Sequence, residues 1–324
     1  MSKLNNTTKI QEAIEKGPQP LYKLFNTDAV SDILADVELE NTHWRGVVSR
    51  KSLRVRCNDT QSGKDLARLF DLNADVFEEK YKEAIAGDGM EGRRIRTLHS
   101  SSLISLLCFH GVSDSKPLLL ELNGSKTEFT EVNFEVKNPV GTDELGREHE
   151  SNIDVVLFGH SLQSGRPVIL FLESKFSEYL HWGSYNSISQ YVYGDIYSLL
   201  DKNKTLDRMG LKYQDGCLSA IKGYTHHYAG GIKQMVSHYL GVNNITEKYK
   251  GHEIYLGEII YKFPEAIDEA HRKFKDYTGL YKILAEGLNE LSDERFKIVN
   301  QCMTYQEVFK AFNLDKRVRT FYSL

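Results

Sequence analysis

The sequence predicts an α/β fold, a central mixed sheet flanked by helices, on three observations. Two runs, Ile153 to His160 and Val168 to Lys175, are apolar at consecutive positions, as strands covered on both faces are. Segments with apolar residues every three to four positions stand before and after them. The order helix, three or four strands, helix, strand, helix interleaves the two kinds of element around one sheet.

Each element has its own signal. Residues 1–90 read as a mixed peripheral part, with helices at Lys9 to Lys16 and Asn26 to Asp36, a strand from Val47 to Arg56 and a charged helix from Lys64 to Ala86. Residues 91–324 read as the α/β domain, unless 1–324 forms one continuous domain, because no repeat, low-complexity tract or Pro/Ser-rich linker divides the chain. Ile95, Leu98, Leu103, Leu106, Leu107 and Phe109 are spaced as in a buried helix. Leu118 to Leu122 and Phe129 to Lys137 read as strands; in the second, Val132, Phe134 and Val136 share a face opposite Glu131, Asn133, Glu135 and Lys137. After the two central strands come helices from Ser187 to Leu200 and Ile232 to Leu240, a strand EIYLGEIIYKF, a helix Pro264 to Leu288 and a short helix after Thr304.

Composition narrows the function. With 40% hydrophobic and 27% charged residues the chain is of the soluble globular type. It has no apolar run of roughly 18 residues and its amino end lacks a signal-peptide pattern, so a cytoplasmic protein without membrane contact is expected. Cys57, Cys108, Cys217 and Cys302 stand far apart, which points to reduced thiols rather than to a zinc site, a disulfide framework or an iron-sulfur cluster. A net charge of −4 argues against a protein that coats nucleic acid nonspecifically. It leaves room for local contacts at Arg45, Arg50, Lys51, Arg54 and Arg56, or at Arg93, Arg94 and Arg96; the ordinary reading of each is a solvated face.

The chemistry concentrates at LFLESKFSEYL, where Glu173 and Lys175 end the most apolar run of the chain. The loop SLQSGRP between the two central runs carries turn residues and predicts a hairpin. With the turn centred near Ser164, Asp154 falls opposite Ser174 and within one residue of Glu173. Period two puts Glu173 and Lys175 on one face, and a single register step decides whether Asp154 joins them. Two carboxylates so close raise each other's pKa unless a cation relieves them, and Mg²⁺ suits one or two carboxylates plus a substrate phosphate. That chemistry is metal-assisted phosphodiester hydrolysis. The competing reading is a salt bridge at a strand end, and His226-His227, adjacent in a loop, suggests no metal pair.

Asp154 followed by Glu173-Ser174-Lys175, at the ends of a hairpin behind a helix, resembles the PD-(D/E)XK nuclease superfamily of restriction endonucleases and RecB-type exonucleases. The resemblance spans Ile95 to Leu240, and ESKFSEYL with GGIKQMVSHYL is also similar to a bacterial group of restriction-endonuclease-like proteins. It implies a restriction-endonuclease-like α-β-β-β-α-β core, Asp154 and Glu173 as metal ligands, and Lys175 as catalytic. It further implies Mg²⁺, with Mn²⁺ as a substitute, and nucleic acid, DNA first, as partner; restriction-type enzymes often dimerise, so a homodimer is one expected assembly. Superfamily members often carry a helix glutamine in a Q-x-x-x-Y pattern. Gln234, with His238 in place of the tyrosine and on the same helical face, matches it better than Gln190. The acid frequent on the first core helix is missing, and the nearest substitute metal ligand is Glu135. Glu178 is expected to orient or support the motif, and a nuclease-like fold that binds without cutting is the alternative function.

Overall fold

The apolar runs form a seven-stranded mixed sheet flanked by helices in a computed structural model of the chain. The structure describes residues 61–86, 95–180, 189–221, 229–263 and 268–324, with 43–44, 47–48, 55 and 57. In chain order the elements are β1 (His43–Trp44), β2 (Val47–Val48), α1 (Ser62–Leu69), α2 (Ala74–Ala84), α3 (Ser101–Phe109), β3 (Leu118–Leu122), β4 (Ser125–Thr142), β5 (Glu148–Ser161), β6 (Pro167–Lys175), α4 (Gln190–Lys202) and α5 (Thr205–Arg208). There follow β7 (Leu211–Gln214), β8 (Cys217–Ala220), α6 (Ala229–Asn243), β9 (Glu253–Ile260), α7 (Asp268–Asn289), β10 (Phe296–Ile298), β11 (Met303–Thr304), α8 (Tyr305–Val308) and α9 (Lys316–Tyr322). They form two compact units, one of Met1–Gly111, Tyr261–His271 and Tyr305–Leu324, the other of Val112–Ile260 and Arg272–Thr304.

In the first unit the charged helix expected from Lys64 to Ala86 is two helices. Asp71 takes a left-handed φ of 59° between them, and the Asn73 side chain accepts the amides of Asp75 and Val76 to start α2, the ordinary work of an Asn cap. The helix expected from Ile95 begins only at Ser101, with Ser100 as its cap residue. Serine side chains compete with helical backbone bonds and favour that boundary, while Ile95 and Leu98 are buried from the turns before it. Phe109 packs edge-on against Phe309, Phe70 against Phe321, and the Tyr322 hydroxyl donates to the Leu98 carbonyl. The expected helices at Lys9 to Lys16 and Asn26 to Asp36, most of the Val47 to Arg56 strand, and the arginines and lysine at 45, 50, 51, 54, 56, 93 and 94 lie outside the described residues.

The second unit holds the sheet, in the order β10-β9-β6-β5-β4-β3, with β11 also paired to β9. β3 through β6 run as an antiparallel meander, and β9 lies parallel to β6. Strands β4 and β5 are longer than their apolar segments because their polar ends pair with each other from Val136↔Ile153 to Thr142↔Glu148. Ile169 and Phe171 on β6, with Ile254 and Leu256 on β9, pack beneath Tyr197 of α4, Met235 and Tyr239 of α6 and Leu284 of α7. Each such side chain contributes about 1.5–3 kcal/mol when fully buried. The next positions on that face of β6 and β9 are Glu173 and Glu258, so the apolar stripe leads straight into charge.

At the far end of the β4–β5 hairpin, Asp143 accepts the amides of Leu145 and Arg147 and bonds the Arg147 and His149 side chains. Desolvation raises its carboxyl, yet these donors, the Arg147 amide first, hold it well below the usual carboxylate range. A depressed carboxyl gives stability that is full above the unfolded value and fades as pH falls through the folded one. Protection of the Leu145 and Arg147 amides, taken relative to their intrinsic exchange rates at each pH, is therefore expected to be high at neutral pH and to fall below about pH 4. In Asp143→Asn protection should be low at both; equal protection in parent and variant would refute this account of the turn.

Candidate active site

The hairpin of β5 and β6 forms with Val155 paired to Leu172. Continuing that register places Asp154 beside Glu173, one step from the pairing the turn alone suggested. The Ser174 amide donates to Asp154 Oδ2 at 2.7 Å, tying the acid to the motif strand. Parallel pairing sets Glu173 beside Glu258 and Lys175 beside Ile260. On the other side, Glu135 lies on β4 between Phe134, paired to Val155, and Val136, paired to Ile153. Four adjacent strands thus bring Glu135, Asp154, Glu173 and Glu258 into one row.

Within the row the motif pair is closed. Lys175 Nζ lies 2.5 Å from Glu173 Oε1, and both side chains are almost completely buried. Helix α6 crosses above and contacts both charges from successive turns: Lys175 donates to Gln234 Oε1 at 2.5 Å, and His238 Nε2 lies 2.7 Å from Glu173 Oε2. Of the two candidate glutamines, Gln234 is therefore the one on the lysine; Gln190 is the first residue of α4 and is exposed. Residues four apart share a helical face, which is how one helix reaches both members of the pair.

The electrostatics follow from this geometry. Burial would raise Glu173, but Lys175 and His238 bring it down to about 2, so it is an anion. An anion accepts, hence His238 donates from Nε2; its Nδ1 is buried without a hydrogen-bond partner among the described residues. Burial would depress Lys175, yet Glu173 and, more weakly, Glu258 hold it above the ordinary lysine range. Asp154 is pushed well up by burial, then by the charges of Glu173 and Glu135. Glu135 adopts a left-handed φ of 51° and takes a short hydrogen bond from Nδ2 of the Asn152 side chain.

Sequence reading passed over Glu258. It is 1% exposed, and both its oxygens receive the Tyr277 hydroxyl, at 2.9 and 3.1 Å. Burial first, opposed by Lys175 and aided by Glu173, pushes it up to about 7. The signal was present: an acid inside the apolar run IYLGEIIY is the same anomaly that singled out Glu173. Glu178 is exposed and accepts the Phe176 amide at 2.6 Å, fixing the chain as it leaves β6. His226 and His227 lie outside the described residues.

Among the described residues no group of three or more His, Cys, Asp and Glu side chains is arranged to hold a metal ion, and Glu135, Asp154 and Glu173 do not form one. The pair Asp154 and Glu173 is a narrower donor set. Its chemistry fits a hard divalent cation that takes one or two carboxylates, since a cation would relieve the repulsion that raises Asp154. No helix among the described residues is long and apolar enough to cross a membrane. No family model, curated protein or solved structure matches the chain.

Proposed function

We propose that the chain is a metal-dependent nuclease with a restriction-endonuclease-like core that hydrolyses phosphodiester bonds, those of DNA first. One observation carries the reading: Asp154, Glu173 and Lys175, separated along the chain, stand together at the end of a buried hairpin. A buried ion pair is a poor source of stability compared with apolar residues of similar volume, so its presence in the most apolar strand calls for a chemical use.

Asp154 and Glu173 would hold the Mg²⁺ or Mn²⁺ ion, which when bound supplies polarisation of the phosphodiester and an activated water. Lys175 acts as a cation that offsets charge developing on the phosphoryl oxygens; with its pKa raised it is not a resting base. Gln234 fixes the direction of the ammonium, and His238 keeps Glu173 in one rotamer. The Ser174 amide does the same for Asp154.

Single-stranded and duplex DNA and RNA, incubated with the purified chain, test this. Cleavage is expected with Mg²⁺ or Mn²⁺ and to stop with chelator, and Lys175→Ala is expected to reduce it by at least about 10²-fold, as loss of one electrostatic donor does. Binding without cutting would replace the reading by a non-catalytic nuclease fold. Sedimentation of the same preparation reads the homodimer that the resemblance brings with it.

A further inference from the structure

Glu258 is a buried carboxylate whose hydrogen-bond partners are neutral: the Tyr277 hydroxyl and, at 3.8 Å, the Cys302 thiol. Nothing in the proposed chemistry has used it. It nevertheless sits beside Glu173 in register, on the face that Glu173 and Lys175 share, with Lys175 two positions further along β6. Such diagonal neighbours are within reach of a long side chain. The attraction between Glu258 and Lys175 is felt at both groups.

We infer that Glu258, oriented by Tyr277, is a positioning residue for the Lys175 ammonium. The inference rests on the nuclease reading for its purpose. Glu173 cannot serve a cation with the oxygen it gives to Lys175 and hold the lysine as firmly as before. When Glu173 turns to another partner, Glu258 is the second carboxylate beside the ammonium, on the side away from Asp154. Tyr277 donates to both oxygens from α7, so the carboxylate plane is fixed from the helix while its backbone is fixed by β9. An apolar residue of similar size would suit the strand better, since the recess above it, apart from Tyr277 and Tyr281, is lined by Gly231, Ile232, Met235, Leu280 and Leu284.

A double-mutant cycle tests the inference in two readouts. In cleavage at saturating DNA and Mg²⁺, Glu258→Gln keeps an acceptor for Tyr277 and is expected to lower kcat by about 10-fold, with KM for DNA within about twofold of the parent. Added to Lys175→Met, it should cost nothing more. Tyr277→Phe, which leaves the carboxylate but frees its plane, should show the same split in milder form and serves if Glu258→Gln does not fold. In thermal unfolding, Glu258→Gln should shift Tm upward more in the Lys175→Met background than in the parent, because only the parent loses an attraction.

Fold-losses that multiply in the kinetic cycle, or a rise in KM with kcat unchanged, would overturn the positioning role. Equal Tm shifts in both backgrounds would overturn the coupling itself. A parent that cuts nothing removes the nuclease reading, and the Tm cycle then still decides whether Glu258 and Lys175 act on one another.

Discussion

Glu173→Ala is expected to lower unfolding free energy by about 3–5 kcal/mol, the cost of stranding a buried charge. Lys175 would lose its 2.5 Å partner while 4% exposed, and His238 would lose the acceptor of its one recorded hydrogen bond while 2% exposed. Gln234 remains on Lys175 but is neutral and cannot balance it. The contrast is the double variant Glu173→Leu/Lys175→Met, which removes both charges and fills the strand with apolar volume. It should lie within about 2 kcal/mol of the parent, or above it, since apolar replacement of a buried pair is often neutral or stabilising. Urea titration of the parent and the two variants decides the matter, and both variants should cleave DNA at least about 10²-fold more slowly than the parent. If the double variant is as unstable as Glu173→Ala, the pair holds the fold rather than the site.

Gly159→Ala should cost about 3 kcal/mol, at the upper end for added volume in a packed interior. Gly159 sits near the end of β5 but between two strands, paired to Phe129 on β4 and to Val168 on β6. The register of β4 against β5 shifts just beyond it, between Phe129 and Glu131. A Cβ there would stand 1.9 Å from the Glu128 carbonyl oxygen and 2.7 Å from the Phe129 Cα, both backbone atoms that cannot swing aside. The strands must part, and the disturbance lies on the hairpin that carries Asp154. Gly279→Ala, on an exposed turn of α7 with nothing within 4 Å, is the control; it should stabilise by about 1 kcal/mol through helix propensity. Urea midpoints that move the same way in both would show that close approach at Gly159 is not the cause.

What could be read from the sequence was what local patterning encodes. Leu118–Leu122 was expected at those bounds, because a short apolar run between Lys116-Pro117 and Asn123-Gly124 reads as a strand. The β5–β6 hairpin was expected within one register step, since a short loop ties its strands together. Gln234 followed from the resemblance, whose helix-glutamine pattern it fits with His238 four residues on, and it lies on Lys175. The missing parts had weaker signals. Strands β7, β8, β10 and β11 have four residues or fewer, too short for a period to be counted. Glu258 reaches the site only through the parallel pairing of β6 with β9, which no turn between the two strands announces. Glu135 turns on a left-handed backbone that a polar residue in an alternating strand does not advertise.

The parallel pairing of β6 with β9 also sets an order of events. The hairpin bearing Asp154, Glu173 and Lys175 can close early, since its loop is short and its ends are near in sequence. Its covering strand and helix arrive only after a long crossover, and such non-local contacts form late. Until then the two charges at the tip of β6 are hydrated, so their dehydration falls after the main barrier rather than before it. Substitutions at Glu173 and Lys175 should therefore leave the refolding limb of a chevron nearly unchanged and act on the unfolding limb. The chain would complete its scaffold first and enclose its most costly pair of side chains last.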